Sequence, residues 1–248
     1  MISIIKNKPL NLNIPKFNCD TDAVGTHLNS HPLTQLLNVY GFLTLIGTPG
    51  QGKTSLAISL MTQKNPKIYK KTHHHILLCM PTASLNSLEH NPFEVLDKSN
   101  LYDDLTDETI DHMYEKINTW SGKDEKSLLL IDDMTASLKG SKHIQDILKR
   151  MIYNRRHLKL NIIITAQSYV NIPLDVRKNI QNPILFKPTK KQFQIVFDEL
   201  LENKKDAFLE VMKVTYDAPH NFLFVNVPSQ RLFKNWDEIV FNEEEDKI

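Results

Sequence analysis

The sequence predicts an α/β fold, in which a central, mainly parallel β-sheet carries helices on both faces and ends in a C-terminal β-hairpin. Two observations indicate this fold. Short, nearly continuous apolar runs alternate with segments of helical spacing through most of the chain, which is typical of parallel strands that are buried on both faces. Near the end, two β-rich runs follow each other across a short polar turn, which is typical of a hairpin.

The individual elements follow from the spacing of apolar residues, taken in chain order. Strands are predicted at 42–46, 75–79, 127–131, 160–165 and 183–186, and the two hairpin strands at 221–227 and 231–233. Helices are predicted at 53–64, 104–120 and 143–157. The last helix has the clearest pattern, because apolar residues recur at i, i+3 and i+4: Ile144, Ile147, Leu148, Met151 and Ile152.

Length and composition favour one domain. The chain has 248 residues, of which 41% are hydrophobic and 24% charged, as in ordinary globular proteins. We expect a single domain over 1–248, with an N-terminal strand or extension at 1–35, a core at 36–241 and an acidic tail at 242–248. No apolar run approaches the roughly 20 residues of a membrane span. The two cysteines, Cys19 and Cys79, are too few for a disulfide scaffold.

The junction between the first strand and the first helix is rich in glycine. It follows the pattern G-x-x-x-x-G-K-[ST], the Walker A motif, in the strand-to-helix context that a phosphate-binding loop requires. The glycines let backbone N–H groups turn toward phosphates, and the helix N-terminus adds partial positive charge. Lys53 is expected to reach the β- and γ-phosphates of a nucleotide, and the Thr54 hydroxyl to bind Mg²⁺. The predicted nucleotide-binding residues are Gly47, Thr48, Pro49, Gly50, Gln51, Gly52, Lys53, Thr54 and Ser55.

Two adjacent carboxylates follow the apolar run 128–131, as in a Walker B motif. Asp132 is expected to hold Mg²⁺ together with Thr54. Asp133 points elsewhere and can accept the proton of an attacking water, which favours hydrolysis over transfer to a small molecule. The alternative is that Asp133 only caps a helix. The two motifs together predict a P-loop NTPase of the ASCE type, and the lack of a guanine-reading Asn-Lys-x-Asp motif favours ATP over GTP.

The next predicted strand also ends in polar residues. Neighbouring parallel strands end at the same edge of a sheet, so Gln167 is expected to face the γ-phosphate beside Asp132 and to bind either the attacking water or the phosphate. The alternative is an ordinary loop glutamine. Arg155 and Arg156 before this strand, and Arg177 after it, are candidates for an arginine that a neighbouring subunit inserts into the site. Arginines at the end of a helix also simply complement its dipole.

Charge is strongly polarised along the chain, although the net charge is only +1. Residues 89–125 hold 11 acidic and 3 basic residues, a balance of −8, and residues 139–191 hold 12 basic and 2 acidic, a balance of +10. This pattern fits either two solvated faces or a basic surface for a polyanion. The histidine run 73–75 leads into an apolar strand without a Cys or carboxylate at ligand spacing, so a strand edge is favoured over a metal site.

These motifs resemble those of the genome-packaging ATPases of poxviruses, giant viruses, virophages and polinton-like viruses, within the FtsK/HerA superfamily. The resemblance covers roughly residues 36–241. It is carried by the phosphate-binding loop and by these further segments: 80–84, 91–93, 131–133, 154–157, 162–167, 173–179, 184–186 and 233–239. One departure is that many members of the wider superfamily have Glu at this position, where this chain has the shorter Asp133.

The resemblance implies a motor that uses ATP and Mg²⁺ to pump double-stranded DNA. It implies a homo-oligomeric ring, a pentamer or a hexamer, in which an arginine from one subunit completes the site of the next. It also implies a viral capsid or portal vertex as partner, and a location in the virion or in the viral factory of the host-cell cytoplasm. In this picture the basic stretch 139–191 lines the DNA path.

Other classes of protein share parts of this pattern. A DNA helicase or partition ATPase has the same site but prefers other DNA substrates. A non-motor, nucleotide-dependent assembly switch hydrolyses ATP without responding to DNA. A small-molecule kinase is disfavoured by the pair of adjacent aspartates, by Gln167 and by the lack of an arginine-rich lid.

Overall fold

The structure is a computed structural model that describes residues 36–37, 40–64, 68–88, 91–201 and 207–241. The predicted extension at 1–35 and the acidic tail at 242–248 lie outside the described residues. Within the described part, nine strands form one sheet in the order β3-β2-β4-β5-β1-β6-β7-β8-β9. The strands β1 to β6 pair in parallel, and β7, β8 and β9 pair antiparallel. The predicted α/β fold with a C-terminal hairpin is therefore confirmed.

The strand bounds agree closely with those predicted. The strands are β1 (Phe42–Ile46), β2 (His75–Cys79), β3 (Leu101–Tyr102), β4 (Ser127–Ile131), β5 (Leu160–Ala166), β6 (Asn182–Phe186), β7 (Phe222–Asn226), β8 (Arg231–Lys234) and β9 (Asp237–Ile239). β3 and β9 were not predicted from the sequence, because they have two and three residues and are too short to show a period. The remaining seven were predicted, because most of them contain three or more apolar or β-branched residues in a row.

The helices are α1 (Lys53–Thr62), α2 (Thr82–Asn86), α3 (Asp107–Gly122), α4 (Thr135–Gly140), α5 (Lys142–Asn154), α6 (Leu174–Arg177), α7 (Lys190–Leu200) and α8 (Phe208–Thr215). The predicted start of α3 at 104 is wrong by three residues. Thr106 caps the helix, because its hydroxyl accepts a hydrogen bond from the Thr109 N–H at 3.2 Å. Each of the described helices is too short or too polar to reach across a bilayer.

Five of the described helices were not predicted from the sequence. Three of them, α2, α4 and α6, span only four to six residues and show no full period. The helix α7 does carry a signal that was not used, since its buried residues recur at i, i+3, i+4 and i+7: Phe193, Val196, Phe197 and Leu200.

Apolar layers on the two faces of the sheet hold the fold together. On one face, α3, α5 and α7 cover the strands, and α5 contributes the five residues that its spacing predicted. On the other face, α1 packs with Leu60 and Met61. Burying a side chain of this size contributes about 1.5–3 kcal/mol. The packed layers therefore hold the strands in place, and with them the site residues at the carboxyl ends of the strands.

The acidic and basic stretches meet in the fold. Helix α3 from the acidic stretch packs on α5 from the basic one. His143 on α5 lies 2.9 Å from the Asp111 carboxylate on α3, and Lys159 forms an ion pair with Asp124. Part of the charge polarity along the chain is therefore neutralised within the molecule.

Candidate nucleotide-binding site

The glycine-rich loop joins the carboxyl end of β1 to α1, as predicted. Gly50 and Gly52 have φ angles of 77° and 99°, which non-glycine residues adopt only with strain. A Cβ on Gly47 would lie 2.5 Å from Gln51 Oε1 and 2.7 Å from Phe186 Cβ. All three glycines are therefore needed for this loop conformation.

Lys53 opens α1 and points back into the loop. Its side chain is buried, and its Nζ donates a hydrogen bond to the Thr48 carbonyl at 3.1 Å. Burial lowers the pKa of this ammonium group, while the charges of Asp133 and Asp132 oppose that shift. The cation is thus held among loop backbone groups and two carboxylates, where phosphate oxygens can replace the carbonyl as its partner.

The Thr54 hydroxyl and Asp132 meet as predicted. Thr54 Oγ1 donates to Asp132 Oδ1 at 3.0 Å. Asp132 is only 2% exposed, and burial raises the pKa of its carboxyl group, against hydrogen bonds from Thr165 and Thr54 that lower it. Mg²⁺ prefers oxygen ligands and is commonly held by one or two carboxylates together with substrate phosphates. One carboxylate beside one hydroxyl at the end of a phosphate-binding loop fits that requirement.

Thr165 is a site residue that the sequence analysis did not select. It is fully buried near the end of β5. Its hydroxyl donates to Asp132 Oδ1 at 2.8 Å and accepts from the Asp133 backbone N–H at 2.9 Å. A hydroxyl that ends a run of three isoleucines is the signal that could have identified it.

Asp133 and Gln167 face each other across β4 and β5. The Gln167 Nε2 group donates to both carboxylate oxygens of Asp133, at 3.1 Å and 3.0 Å. Asp133 is exposed and has a φ of 55°, an unusual conformation for a residue other than glycine. Asp133 is not the N-cap of the following helix α4, because Met134 occupies that position. The two side chains thus lie together beside Asp132, as the order of parallel strands predicted.

The arginine candidates lie elsewhere. Arg155 and Arg156 follow α5 at the start of β5, where the Leu160 N–H donates to the Arg155 carbonyl at 2.9 Å. The phosphate-binding loop is at the opposite edge of the sheet, about 23 Å away along a seven-residue strand. The Arg155 guanidinium donates to the Ile152 carbonyl at 2.8 Å. Neither arginine therefore reaches the site of its own chain.

Arg177 is held inside its own subunit. Its guanidinium makes a two-pronged contact with Glu199, at 2.8 Å and 3.1 Å, and lies 5.0 Å from the centre of the Tyr169 ring. The Tyr169 hydroxyl also donates to Glu199 at 2.9 Å. This arrangement braces the segment that follows Gln167 and gives Arg177 a structural function in the chain.

The three histidines of the run 73–75 have separate surroundings. His73 contacts Thr72, and burial lowers its pKa to about 4. His74 accepts a hydrogen bond from the Lys126 N–H. His75 stacks on Trp120, with ring centres 4.1 Å apart. No group of three metal-ligating side chains occurs among the residues that the structure describes.

The comparisons with known proteins agree with this geometry. The model of a family described as Poxvirus A32 protein matches residues 31–247. No curated protein matches the chain in sequence. Among solved structures, the chain is similar to the genome packaging NTPase B204 of Sulfolobus turreted icosahedral virus 2 in complex with AMP. Sequence identity is 18%, the TM-score is 0.61, and the match covers 82% of this chain and 100% of B204.

Two further similarities support the fold. B204 in complex with ATP-gammaS matches with 16% identity and a TM-score of 0.60, over 82% of this chain and 100% of that chain. The cytoplasmic domain of the Type VII secretion ATPase EccC from Thermomonospora curvata matches with 14% identity and a TM-score of 0.51. That match covers 83% of this chain and 26% of EccC. At these identities the solved structures support the fold rather than the role of any residue.

Proposed function

Because this chain belongs to the Poxvirus A32 protein family, a family of genome-packaging ATPases, it is an ATP-hydrolysing enzyme, and we propose that it moves double-stranded DNA into a viral capsid. The observation that carries the proposal is the meeting of three elements at one sheet edge. The phosphate-binding loop, the Asp132–Thr54 pair and the Asp133–Gln167 pair lie together there. Neither a simple binding loop nor a kinase site requires the second pair.

Each side chain of the site has a separate role in ATP hydrolysis. Lys53 balances the charge of the β- and γ-phosphates, and that charge increases in the transition state. Asp132 and the Thr54 hydroxyl would hold Mg²⁺, which supplies further positive charge to the phosphates. Asp133 accepts a proton from the water that attacks the γ-phosphorus, while the bond to the bridging β–γ oxygen breaks and ADP leaves. Gln167 orients that water and the Asp133 carboxylate.

Thr165 sets the geometry of both acids. Its one hydroxyl contacts the Asp132 carboxylate and the Asp133 backbone, so it links the residue that would hold the metal to the residue that accepts the proton. We therefore assign it a positioning function, since side chains of this kind orient metal ligands without touching the metal.

DNA binding is supported by exposed basic residues. Several of them follow strands at the same edge of the sheet as the site: Lys139, Lys187, Lys190 and Lys191. Lysine contacts to phosphates are independent of sequence, as a packaging motor requires. The proposed partners are double-stranded DNA and a capsid or portal vertex, and the proposed location is the virion or the viral factory in the host cytoplasm.

A ring of subunits is supported by the position of Arg155 and Arg156. They lie too far from the phosphate-binding loop of their own chain to act there. In a pentamer or hexamer, one of them can instead reach the nucleotide site of the neighbouring subunit. The guanidinium group is suited to this function because it stays charged and binds phosphate oxygens in a fixed geometry.

The test is the rate of ATP hydrolysis with duplex DNA, with single-stranded DNA and with neither. We expect duplex DNA to stimulate hydrolysis most, and the stimulation to fall steeply as salt rises, through counterion release. Preference for single strands would favour a helicase instead. A rate that ignores DNA at low salt would favour the assembly switch.

A further inference from the structure

The region on the other side of the phosphate-binding loop has no function in the account above. We propose that the cavity between this loop, the end of β6 and the turn before β7 binds the adenine base and ribose of ATP. His220 is the residue that selects the base. This inference rests on the proposed ATPase function and adds the part of the substrate that the loop itself does not contact.

The order of strands gives the direction of the nucleotide. β1, which leads into the loop, lies between β5 and β6. Asp133 and Gln167 follow β4 and β5, so the γ-phosphate end of the substrate lies on that side. Because a triphosphate is extended, the base must lie on the opposite side, next to β6 and β7.

A cavity of suitable size lies there. Its volume is about 600 Å³, and it is lined by the segment 50–56 together with Phe186, His220 and Phe222. Ligand cavities commonly measure about 300–1,000 Å³ and combine aromatic walls with few polar groups. A second cavity of about 350 Å³ adjoins it and shares Gly50, Gln51, Phe186 and His220 with it. The two rings of Phe186 and Phe222 lie 5.5 Å apart and form the apolar wall.

The loop and these rings are in close contact. A Cβ on Gly52 would lie 3.7 Å from the Phe186 ring and 4.0 Å from His220 Nδ1. The His220 Nδ1 atom is 3.4 Å from the Gln51 carbonyl. A nucleotide whose phosphates occupy the loop therefore places its next groups against these side chains.

The turn that carries His220 is fixed by polar contacts. The Tyr216 hydroxyl donates to the Leu185 carbonyl at 2.8 Å, which ties the turn to β6. The Asn221 amide donates to Asp217 at 2.7 Å and accepts from Asn235 at 3.1 Å. His220 itself has a φ of 62°. Such a conformation costs energy and is kept where the surroundings impose it, often at ligand sites.

The tautomer of His220 gives a reason for selecting adenine. The Gln51 carbonyl can only accept a hydrogen bond, so Nδ1 is the donor in this contact. In the neutral ring Nε2 is then an acceptor. Adenine presents an exocyclic amine that donates, whereas guanine presents O6, which accepts. When both bases are held in the same pose, Nε2 can therefore accept from the adenine amine but cannot pair with guanine O6, while the face of the ring stacks on either base.

Isothermal titration calorimetry with three probes tests the inference: ATP, GTP and inorganic tripolyphosphate. Every measurement uses Asp133→Asn as the background, because this variant keeps Lys53 and is expected not to hydrolyse the nucleotide during the titration. His220 is exposed, so its replacement does not remove core packing. His220→Asn is the main variant, because asparagine tolerates a positive φ but has no ring. His112→Asn is the matched control, since His112 is an exposed histidine on α3 away from the loop.

We expect His220→Asn to weaken ATP binding by at least about fivefold, the lower range for loss of base stacking, and to leave tripolyphosphate binding unchanged. His220→Phe keeps a flat ring without a nitrogen acceptor, so it should recover ATP affinity but lose the preference for ATP over GTP. Unchanged ATP binding in His220→Asn, or an equal loss of tripolyphosphate binding, would overturn this inference and leave the proposed ATPase function standing. If neither the Asp133→Asn background nor the unaltered protein binds ATP or tripolyphosphate, the proposed ATPase function fails as well.

Discussion

The side-chain amide of Gln167 donates to both carboxylate oxygens of Asp133, at 3.1 Å and 3.0 Å. The two residues come from neighbouring parallel strands and are separated by 34 positions in the chain. Their contact links the acid that would accept a proton to a side chain that can also bind the attacking water. This relationship supports hydrolysis rather than simple nucleotide binding.

Asp133→Asn should retain nucleotide binding and slow hydrolysis. The amide has the size of the carboxylate but cannot accept a proton, and loss of a general base typically costs about 10²–10⁴-fold in rate. Single-turnover hydrolysis, measured beside the affinity for ATP, checks the expectation. Gln167→Ala should have a smaller effect, because it leaves the base in place. Loss of ATP binding in Asp133→Asn would instead indicate a structural or metal-binding function.

Thr165→Val should impair hydrolysis although Thr165 does not contact the nucleotide in this account. Valine keeps the shape of the side chain but removes the hydroxyl that orients Asp132 and Asp133. Residues that orient metal ligands typically contribute about 10–100-fold to metal affinity or activity. The measurement is the Mg²⁺ concentration needed for half-maximal hydrolysis, which should rise. Thr165→Ser keeps the hydroxyl and should restore it, whereas equal defects in both variants would argue for packing alone.

Asp132→Asn should abolish hydrolysis and yet stabilise the nucleotide-free fold near neutral pH. Burial raises the pKa of Asp132 in the folded state, so its charged form destabilises the fold at pH values above that pKa. As pH falls through the raised pKa, the group becomes protonated and the penalty disappears. The nearby charges are Lys53 and Asp133, and they act in opposite directions.

Thermal unfolding checks this prediction. The melting temperature of Asp132→Asn should exceed that of the unaltered protein at neutral pH. For a chain of this size, a gain of about 1 kcal/mol in the free energy of unfolding raises the melting temperature by about 2–4 °C. The gain should shrink in acid. Asp133→Asn is the control, because Asp133 is exposed and its replacement should give no comparable gain. A lower melting temperature for Asp132→Asn at every pH would contradict the prediction.

Mixing two inactive variants tests the arginines. The double variant Arg155→Ala/Arg156→Ala keeps its phosphate-binding loop, and Lys53→Ala keeps its arginines. If an arginine acts on a neighbouring subunit, interfaces between the two variants recover activity, because the guanidinium is needed only where charge develops. The measurement is the hydrolysis rate after subunit exchange, with Arg150→Ala, an exposed arginine on α5, as control. Full activity of the double variant alone would exclude Arg155 and Arg156.

Much of the fold could be predicted because parallel strands are buried on both faces. The strands β1, β2 and β4 have the predicted bounds, since runs of four or five consecutive apolar or β-branched residues leave little choice of structure. Helix ends were less accurate. The start of α3 depends on the Thr106 cap rather than on the acidic residues before it. β3 and β9 exist because neighbouring strands pair with them, and a sequence of two or three residues carries no such information.

The candidate site residues that could be recognised from the sequence are the ones that directly follow a predicted strand. The phosphate-binding loop, Asp132, Asp133 and Gln167 each follow an apolar run, and parallel order brings them together. Thr165 was missed because it lies inside its strand and reads as one more β-branched residue. His220, which we propose to contact the base, was not predicted because its turn follows α8, far from the loop in sequence, and only the pairing of β6 with β7 brings it to the loop.

Displacement of a third strand from a DNA triplex tests the central claim, that ATP hydrolysis moves this protein along duplex DNA. A motor that travels on the duplex strips off the third strand, and a protein that only binds DNA does not. We predict ATP-dependent displacement by the unaltered protein, at a rate that falls as salt rises, and none by Lys53→Ala or Asp133→Asn. Duplex-stimulated ATP hydrolysis without any displacement would contradict the account.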